Sequence, residues 1–435
     1  MPASTSKSPR VAVLADSDTR WKWGALTAHR LVPGGRLDGH LLRGRATPTP
    51  RQLGEVDEAG VRPDSVTEVT AAEFLAAMAR ERYDVVVLAL VGGGVQTMLH
   101  GLTHAWRGRE RRPVVVTGYV GVVYEKVTDG LLLRHGADLV LANSRRDAER
   151  FRAVYEGVGA DASAVVEVAL PFLGGAPYRP ADPYTVVFAA QPSVPAGRAD
   201  RAYLLERLVR HARRHPDREV LLKLRSRPGE HTTHIEELPY QKLVRGLRPP
   251  ANFRLVYGHM GEVLDRADLL VTVSSTAALE GLHRGVPTAV LTDLGVREAL
   301  GNHHFVGSGC LASWDQLDAG RVPVADPRWT QRNGVAPGDA YDTAFDVARG
   351  RIAALLGGAG PGVLAPYYGA RTAPGYLPGV LARYHLGVDG VPLAGVPGAG
   401  RPSGPVRRVV RRAARGAYRH GVQRVAPVVR RLGEL

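Results

Sequence analysis

Leu269-Leu-Val-Thr-Val-Ser-Ser-Thr-Ala-Ala-Leu-Glu-Gly-Leu-His-Arg-Gly-Val-Pro287 reads as a buried strand, a hydroxyl cluster, a helix, and a Gly-Val-Pro turn into the next strand. A short unbroken apolar run followed by a helical pattern is the signature of a parallel strand covered on both faces. In doubly wound sheets, ligands bind beyond the carboxyl ends of the strands, where loops meet helix N-termini. Ser274, Ser275 and Thr276 would there join backbone N–H groups in a cradle for phosphate. Glu280 falls about one helical turn later, where its carboxylate can accept hydrogen bonds from ribose hydroxyls. A lone serine would simply cap the helix; three hydroxyls with a downstream Glu and Gly-x-Pro favour a ligand.

Similar runs extend in both directions. Upstream lie 184–190, 219–224 and 253–256, and downstream 287–291, with helical patterns at 199–215, 260–266, 276–284 and 342–356. Nearer the N-terminus, 10–15, 84–90, 113–117, 138–142 and 165–169 form another strand series, with amphipathic segments at 71–81 and 144–155 between them. Strands alternating with helices predict α/β architecture with parallel sheets. The expected organisation is a Rossmann-like acceptor-side domain over 1–175 and a Rossmann-like donor domain over 176–356. A Gly/Pro-rich extension follows over 357–400, partly packed through Tyr367, Tyr368, Tyr376 and Tyr384. An Arg-rich amphipathic helical tail spans 401–435, and 171–183, without periodicity, reads as a linker.

The 435-residue length suits two domains, and 44% hydrophobic with 23% charged residues suits a globular chain. Of the net +15, the tail contributes +9 from ten Arg and one Glu, leaving +6 for the first 400 residues. The tail's apolar strip and arginines suit an anionic membrane surface. Because 52 of the 57 basic residues are Arg, the basicity looks compositional, and no nucleic-acid partner is expected. Cys310 is the only cysteine, which excludes an intrachain disulfide and a Cys-rich metal site. A polar start and the absence of an 18-residue apolar run predict a cytoplasmic protein, soluble or peripheral on the membrane. No Gly-x-Gly-x-x-Gly or Walker motif stands in a suitable context.

The hydroxyl cluster resembles the donor loop of bacterial glycosyltransferases of the GT-B fold, particularly the polysialyltransferase, capsule and CDP-glycerol transferase groups. In those groups a Ser-Ser or Ser-Thr pair precedes Glu or Asp. The resemblance spans 184–295 and, more loosely, 10–175. Glu219-Val-Leu-Leu-Lys-Leu-Arg-Ser-Arg-Pro-Gly-Glu230 is similar to their Lys-x-His-Pro segment, with Arg225 in place of His, so that histidine's role does not carry over. Lys223, Arg225 and Arg227 put cationic groups where donor phosphate would sit. The resemblance also implies donor contacts for Gln191 and Ser193 in the loop after 184–190, and a base-side contact for His259. His231 and His234 are spaced for one helical face, but no third ligand stands nearby; no metal and no cofactor are expected.

In the first series, Asp16 and Asp18 follow the first strand and are placed for general-base activation of an acceptor hydroxyl; Asp18 would equally serve as a helix N-cap. Lys22, Gly93 within a Gly-Gly-Gly run, Tyr119 and Lys126 are acceptor-side candidates. Trp21 and Trp23 suit either stacking on a sugar or packing in the core. The resemblance implies metal-independent sugar transfer from a nucleotide-sugar donor to a glycan, lipid-linked or other hydroxyl acceptor. The competing readings are a nucleotide-sugar 2-epimerase or hydrolase on the same fold and a basic nucleic-acid-binding protein.

Overall fold

A computed structural model describes residues 8–44, 46–122, 127–227, 238–336, 338 and 340–394. Lys126, His231, His234 and the 401–435 tail lie outside the described residues. The chain groups into two compact units, one running to Phe172 and resuming at Tyr341, the other spanning Leu173–Ala340.

The first unit is built on seven strands: β1 (Arg10–Ala15), β2 (Arg36–Leu42), β3 (Ser65–Val69), β4 (Val85–Ala89), β5 (Val114–Gly118), β6 (Leu139–Ala142) and β7 (Val165–Glu167). All are parallel, in the order β3-β2-β1-β4-β5-β6-β7. The second has six parallel strands: β8 (Thr185–Ala189), β9 (Glu219–Lys223), β10 (Phe253–Val256), β11 (Leu269–Thr272), β12 (Thr288–Leu291) and β13 (Leu311–Ala312), ordered β10-β9-β8-β11-β12-β13. Strand order thus reverses between β1 and β4 in one sheet and between β8 and β11 in the other, and these are the ligand-binding positions of such sheets.

One device starts several strands. Asp84, Asp138 and Asp268, each immediately before its strand, accept the backbone N–H of Arg10, Val115 and Thr185 at 2.7 Å in each case. The carboxylate satisfies a donor at the sheet's amino edge that the ladder leaves open. Asp268 also accepts from Ala181 N (2.9 Å) and the Tyr178 hydroxyl (3.2 Å), so the segment expected to be a linker is pinned to the second unit from Tyr178 onward.

Trp21 and Trp23 are fully buried on the helix Asp18–Leu31. A Cβ on Gly39 would fall 2.5 Å from the Trp21 ring, and one on Gly118 2.9 Å from Trp23. These rings fill space that the glycines leave open in β2 and β5, which settles them as core. The helix Asp346–Gly357, which the sequence placed with the second series, belongs to the first unit. Its buried Ala348 and Ile352 face that unit, Arg349 donates to Arg30 O (3.1 Å), and Arg351 donates to Ser163 O (2.7 Å). Beyond it, Leu364, Leu377, Leu381 and Leu386 enter the same core as Val86 and Leu88. Among the described residues, no helix is long and apolar enough to cross a membrane.

Candidate functional site

In the second unit, β11 ends at Thr272, whose hydroxyl donates to Ala189 O (2.9 Å) and accepts from Ser275 N (3.1 Å). The chain therefore turns sharply beside the end of β8. Ser274, 2% exposed, sits at the floor of the turn. Its N–H donates to Gln191 Oε1 (3.0 Å), its Oγ accepts from Gln191 Nε2 (3.2 Å), and its hydroxyl is within donating distance of Leu300 O. Ser274 and Gln191 thus join the loops after β8 and β11 across the point where strand order reverses, and tie both to the segment after β12.

The next two hydroxyls lie higher. Ser275 and Thr276 are half-buried. Ser275 Oγ accepts from Ala277 N (3.2 Å) as the helix Ala277–Arg284 begins. Thr276 occupies the N-cap position without a side-chain cap bond. Glu280 is 8% exposed in the first turn of that helix, whose amides favour negative charge. Gly285 closes the helix at φ +78°, a left-handed conformation that explains the Gly of Gly-Val-Pro.

The remaining donor-side candidates border the same sheet edge. Lys223 ends β9, is 7% exposed and donates to Leu224 O (3.0 Å). Arg225 is half-buried; Arg227 is exposed, its guanidinium 5.7 Å over the Tyr257 ring. Ser193 is half-buried in the loop after β8. His259 is the N-cap of the five-residue helix Met260–Leu264, with its ring folded over Gly261 and no cap bond. The structure brings these residues to the carboxyl ends of β8, β9, β10 and β11. Of the sequence-selected donor residues, Gln191 and Ser274 are directly hydrogen-bonded to each other.

The sequence missed Arg201, which shapes that loop. It is 1% exposed, stacks 4.2 Å over Tyr240, and donates to Gln191 O (3.2 Å), Pro192 O (3.2 Å) and Pro195 O (3.3 Å). A buried guanidinium with several donors can organise a proline-rich turn that has few N–H groups of its own.

In the first unit, Asp16 stands just beyond β1. Its Oδ1 accepts from Arg20 Nη1 (2.8 Å), and its Oδ2 accepts from Val91 N (3.1 Å), just beyond β4. Asp16 therefore spans this sheet's reversal point, as Gln191 and Ser274 do in the other. Asp18 is not the N-cap, which is Ser17; it accepts from Gln52 Nε2 at a long 3.4 Å. Lys22 is half-buried, its Nζ 5.9 Å over the Phe172 ring.

Gly92-Gly93-Gly94 forms the first turn of the helix Gly92–Ala105 and not a flexible loop. A Cβ on Gly92 would stand 2.8 Å from Leu133 Cδ1, and one on Gly94 3.0 Å from the Tyr384 hydroxyl. The glycines therefore accommodate neighbouring side chains. Gly93 is less crowded, 3.6 Å from Val380 in the same construction.

Tyr119, expected at the rim, packs instead against Phe151 (5.4 Å) under the Arg134 guanidinium (4.0 Å). Burial pushes its hydroxyl above the usual tyrosine value. Arg134, 6% exposed, donates to Gly118 O (3.0 Å), Gly130 O (2.8 Å) and Leu90 O (3.3 Å), and desolvation holds its pKa below the ordinary arginine value. Arg134 carried no sequence signal, and Tyr384 was expected only to help pack the Gly/Pro-rich extension. Arg134 lies in the turn just after the helix Val127–Leu132, and Tyr384 far downstream in a Gly/Pro-rich segment.

His211, His215 and Asp318 form the one potential metal-ligand trio among the described residues, with ligand atoms within 4.8 Å of one another. Asp318 accepts from His211 Nδ1 (2.7 Å), Arg207 Nη2 (3.3 Å) and Arg214 Nη1 (3.3 Å). Burial alone would raise its pKa, but the His211 hydrogen bond and the two guanidinium charges hold it below the usual range. The positive partners a dication would supply are already there, and the trio is a structural ion network.

Solved structures of nucleotide-sugar enzymes share the fold. A UDP-N-acetylglucosamine 2-epimerase superposes with TM-score 0.52 at 12% identity, over 82% of this chain and 100% of its own. The S. aureus MnaA–UDP co-structure superposes with TM-score 0.51 at 13% identity, over 80% and 97%. No curated protein matches the chain by sequence. The two parallel Rossmann-like sheets are the GT-B architecture, and over residues 11–349 the chain belongs to the family described as "Putative glycosyltransferase (DUF6716)".

Proposed function

We propose that the chain transfers a sugar from a nucleotide-sugar donor to a hydroxyl of a glycan or lipid-linked acceptor, with the nucleotide held by the second unit. The observation that carries this reading is the placement of Ser275 and Thr276 at the start of the helix Ala277–Arg284, raised at the sheet's reversal point on the Gln191–Ser274 floor. In this reading Ser275, Thr276 and the helix's first amides hold the donor phosphates, and Lys223 and Arg225 offset their charge. Glu280 accepts from ribose hydroxyls, while Gln191, Ser193, Arg227 and His259 border the phosphate, sugar and base. Ser274 acts from beneath as a positioning residue.

Asp16 is the preferred base over Asp18, because it alone of the two bridges the ends of β1 and β4. It takes the acceptor's hydroxyl proton as the oxygen forms a bond to the anomeric carbon. The carbon–oxygen bond to phosphate breaks, and its electron pair leaves with the nucleotide, inverting the sugar carbon. The reaction as written requires no metal or other cofactor. The acceptor would be met in the cytoplasm or at the inner membrane face, with residues 401–435 supplying charge for an anionic surface.

A thermal-shift screen of UDP, GDP, CMP, CDP and dTDP tests the donor site, repeated on Ser275→Ala and Glu280→Ala. UDP heads the screen because the S. aureus neighbour holds it. The expected result is stabilisation of the wild type by at least one nucleotide, diminished in both variants. A wild type that responds to none, or variants that respond as it does, would refute the assignment. Release of free or epimerised sugar without an acceptor would favour the hydrolase or epimerase reading, which the neighbours' fold also accommodates.

A further inference from the structure

Tyr384 stands outside any role assigned so far. It lies just beyond the helix Leu377–Ala382, in the segment that returns to the first unit. Its hydroxyl lies over Gly94, the third residue of the helix Gly92–Ala105, at 3.0 Å from where a Cβ would be. Val91, the N-cap of that helix, donates its N–H to Asp16 (3.1 Å). Val91 and Gly94 lie at the cap and in the first turn of that helix, so the carboxylate and the phenol both border its start.

The electrostatics agree. Burial, reinforced by the Asp16 charge and opposed by Arg20, pushes the Tyr384 hydroxyl up to about 12, which keeps it a proton donor at neutral pH. The ring is half-buried, yet the hydroxyl makes no hydrogen bond among the described residues. Other buried tyrosines show the contrast: Tyr155 donates to Leu131 O (2.9 Å) and Tyr341 to Leu170 O (3.1 Å). A protein-packing role needs the Tyr384 ring but not its oxygen.

We propose that Tyr384 is a substrate-contacting residue of the first unit, its hydroxyl donating a hydrogen bond to the acceptor oxygen from which Asp16 takes the proton. The returning segment would then complete the acceptor side of the site as well as its core. This rests on the reading of Asp16 as base. The phenol keeps its own proton: the acceptor's proton passes to Asp16, and Tyr384 holds the acceptor oxygen beside that carboxylate.

The test uses the full chain with UDP-glucose, UDP-N-acetylglucosamine, GDP-mannose, dTDP-glucose and CMP-sialic acid, following nucleotide release with water alone and with added glycerol as acceptor. Tyr384→Phe keeps the ring and should leave melting temperature and donor KM unchanged. It should lower kcat/KM for glycerol roughly tenfold, the loss of one hydrogen bond to the reacting partner. Gly94→Ala, whose methyl would press on the same oxygen, should lower the same parameter and add nothing in the Tyr384→Phe background. Asp16→Asn should abolish release with either acceptor. A Tyr384→Phe enzyme within twofold of wild type while Asp16→Asn is inactive overturns the inference and leaves the transferase reading standing. No release by the wild type, or full activity in Asp16→Asn, refutes the base assignment and this inference with it.

Discussion

Ser274 and Ser275 are adjacent in sequence and should respond to alanine in opposite ways. Ser274→Ala removes a buried hydroxyl that meets the half-buried Gln191 Nε2 at 3.2 Å and lies within bonding distance of Leu300 O in surroundings closed to water. Stranding a buried polar partner costs about 1–3 kcal/mol, so a loss of about 2 kcal/mol is expected. In a domain of this size that lowers the melting temperature by roughly 4–8 °C. Ser275→Ala loses only the cap to Ala277 N at 3.2 Å, about 1 kcal/mol or less. A hydroxyl on a charged phosphate contributes about 1.5–3 kcal/mol, so nucleotide affinity in Ser275→Ala should fall roughly 10- to 100-fold. Ser274→Ala should retain most of its affinity. Denaturant melts without ligand give the first quantity, and calorimetric titration with the most stabilising nucleotide gives the second. A Ser274→Ala protein as stable as wild type, or a Ser275→Ala protein that is the less stable of the two and binds nucleotide normally, would refute the division of labour.

Asp268→Ala should destabilise the second unit by about 2–5 kcal/mol, since it strands Thr185 N and Ala181 N in addition to losing the Tyr178 contact; equilibrium unfolding measures this. His40 gives a pH dependence. Both its ring nitrogens are buried without a hydrogen-bond partner, and burial holds its pKa below 6.5 despite the nearby Asp38 and Glu81 charges. The unfolded chain therefore binds a proton first as pH falls through about 6.5, and stability is present above that value and lost below it, by at most about 1.4 kcal/mol per pH unit. In His40→Phe the slope of stability against pH between 6.5 and the folded-state value should shrink by up to that amount, and an unchanged slope would remove His40 from the account.

The fold was legible where strands are buried on both faces. Val85–Ala89, Val114–Gly118 and Leu269–Thr272 are continuous apolar runs, because parallel strands under helices have no solvent side. β2 escaped detection because Asp38, Gly39 and His40 interrupt it: Asp38 pairs with Arg10 and Ser65, and Gly39 makes room for Trp21. β3 is an edge strand with no fully buried residue and so carries no apolar signature. The donor-side candidates could be placed after strand ends because such positions follow from topology alone. What topology could not show was direction: Ser274 points into the floor, the glycine run packs on Leu133 and Tyr384, and Tyr119 lies under Arg134. Those outcomes depend on contacts between residues from 15 to 290 positions apart, Tyr119 with Arg134 at one extreme and Gly94 with Tyr384 at the other.

The return of residues 341–394 to the first unit makes the second an uninterrupted insertion within it. As the chain leaves the ribosome, Leu173–Ala340 is available to fold before Leu364, Leu377, Leu381 and Leu386 exist to cover their part of the first core. The nascent N-terminal half waits with an open apolar face until residues 364–386 have emerged, an interval in which aggregation competes with folding. A chain cut near residue 340 would keep Leu173–Ala340 whole and leave the first core uncovered, so translation order makes these four downstream leucines a late check on the N-terminal half.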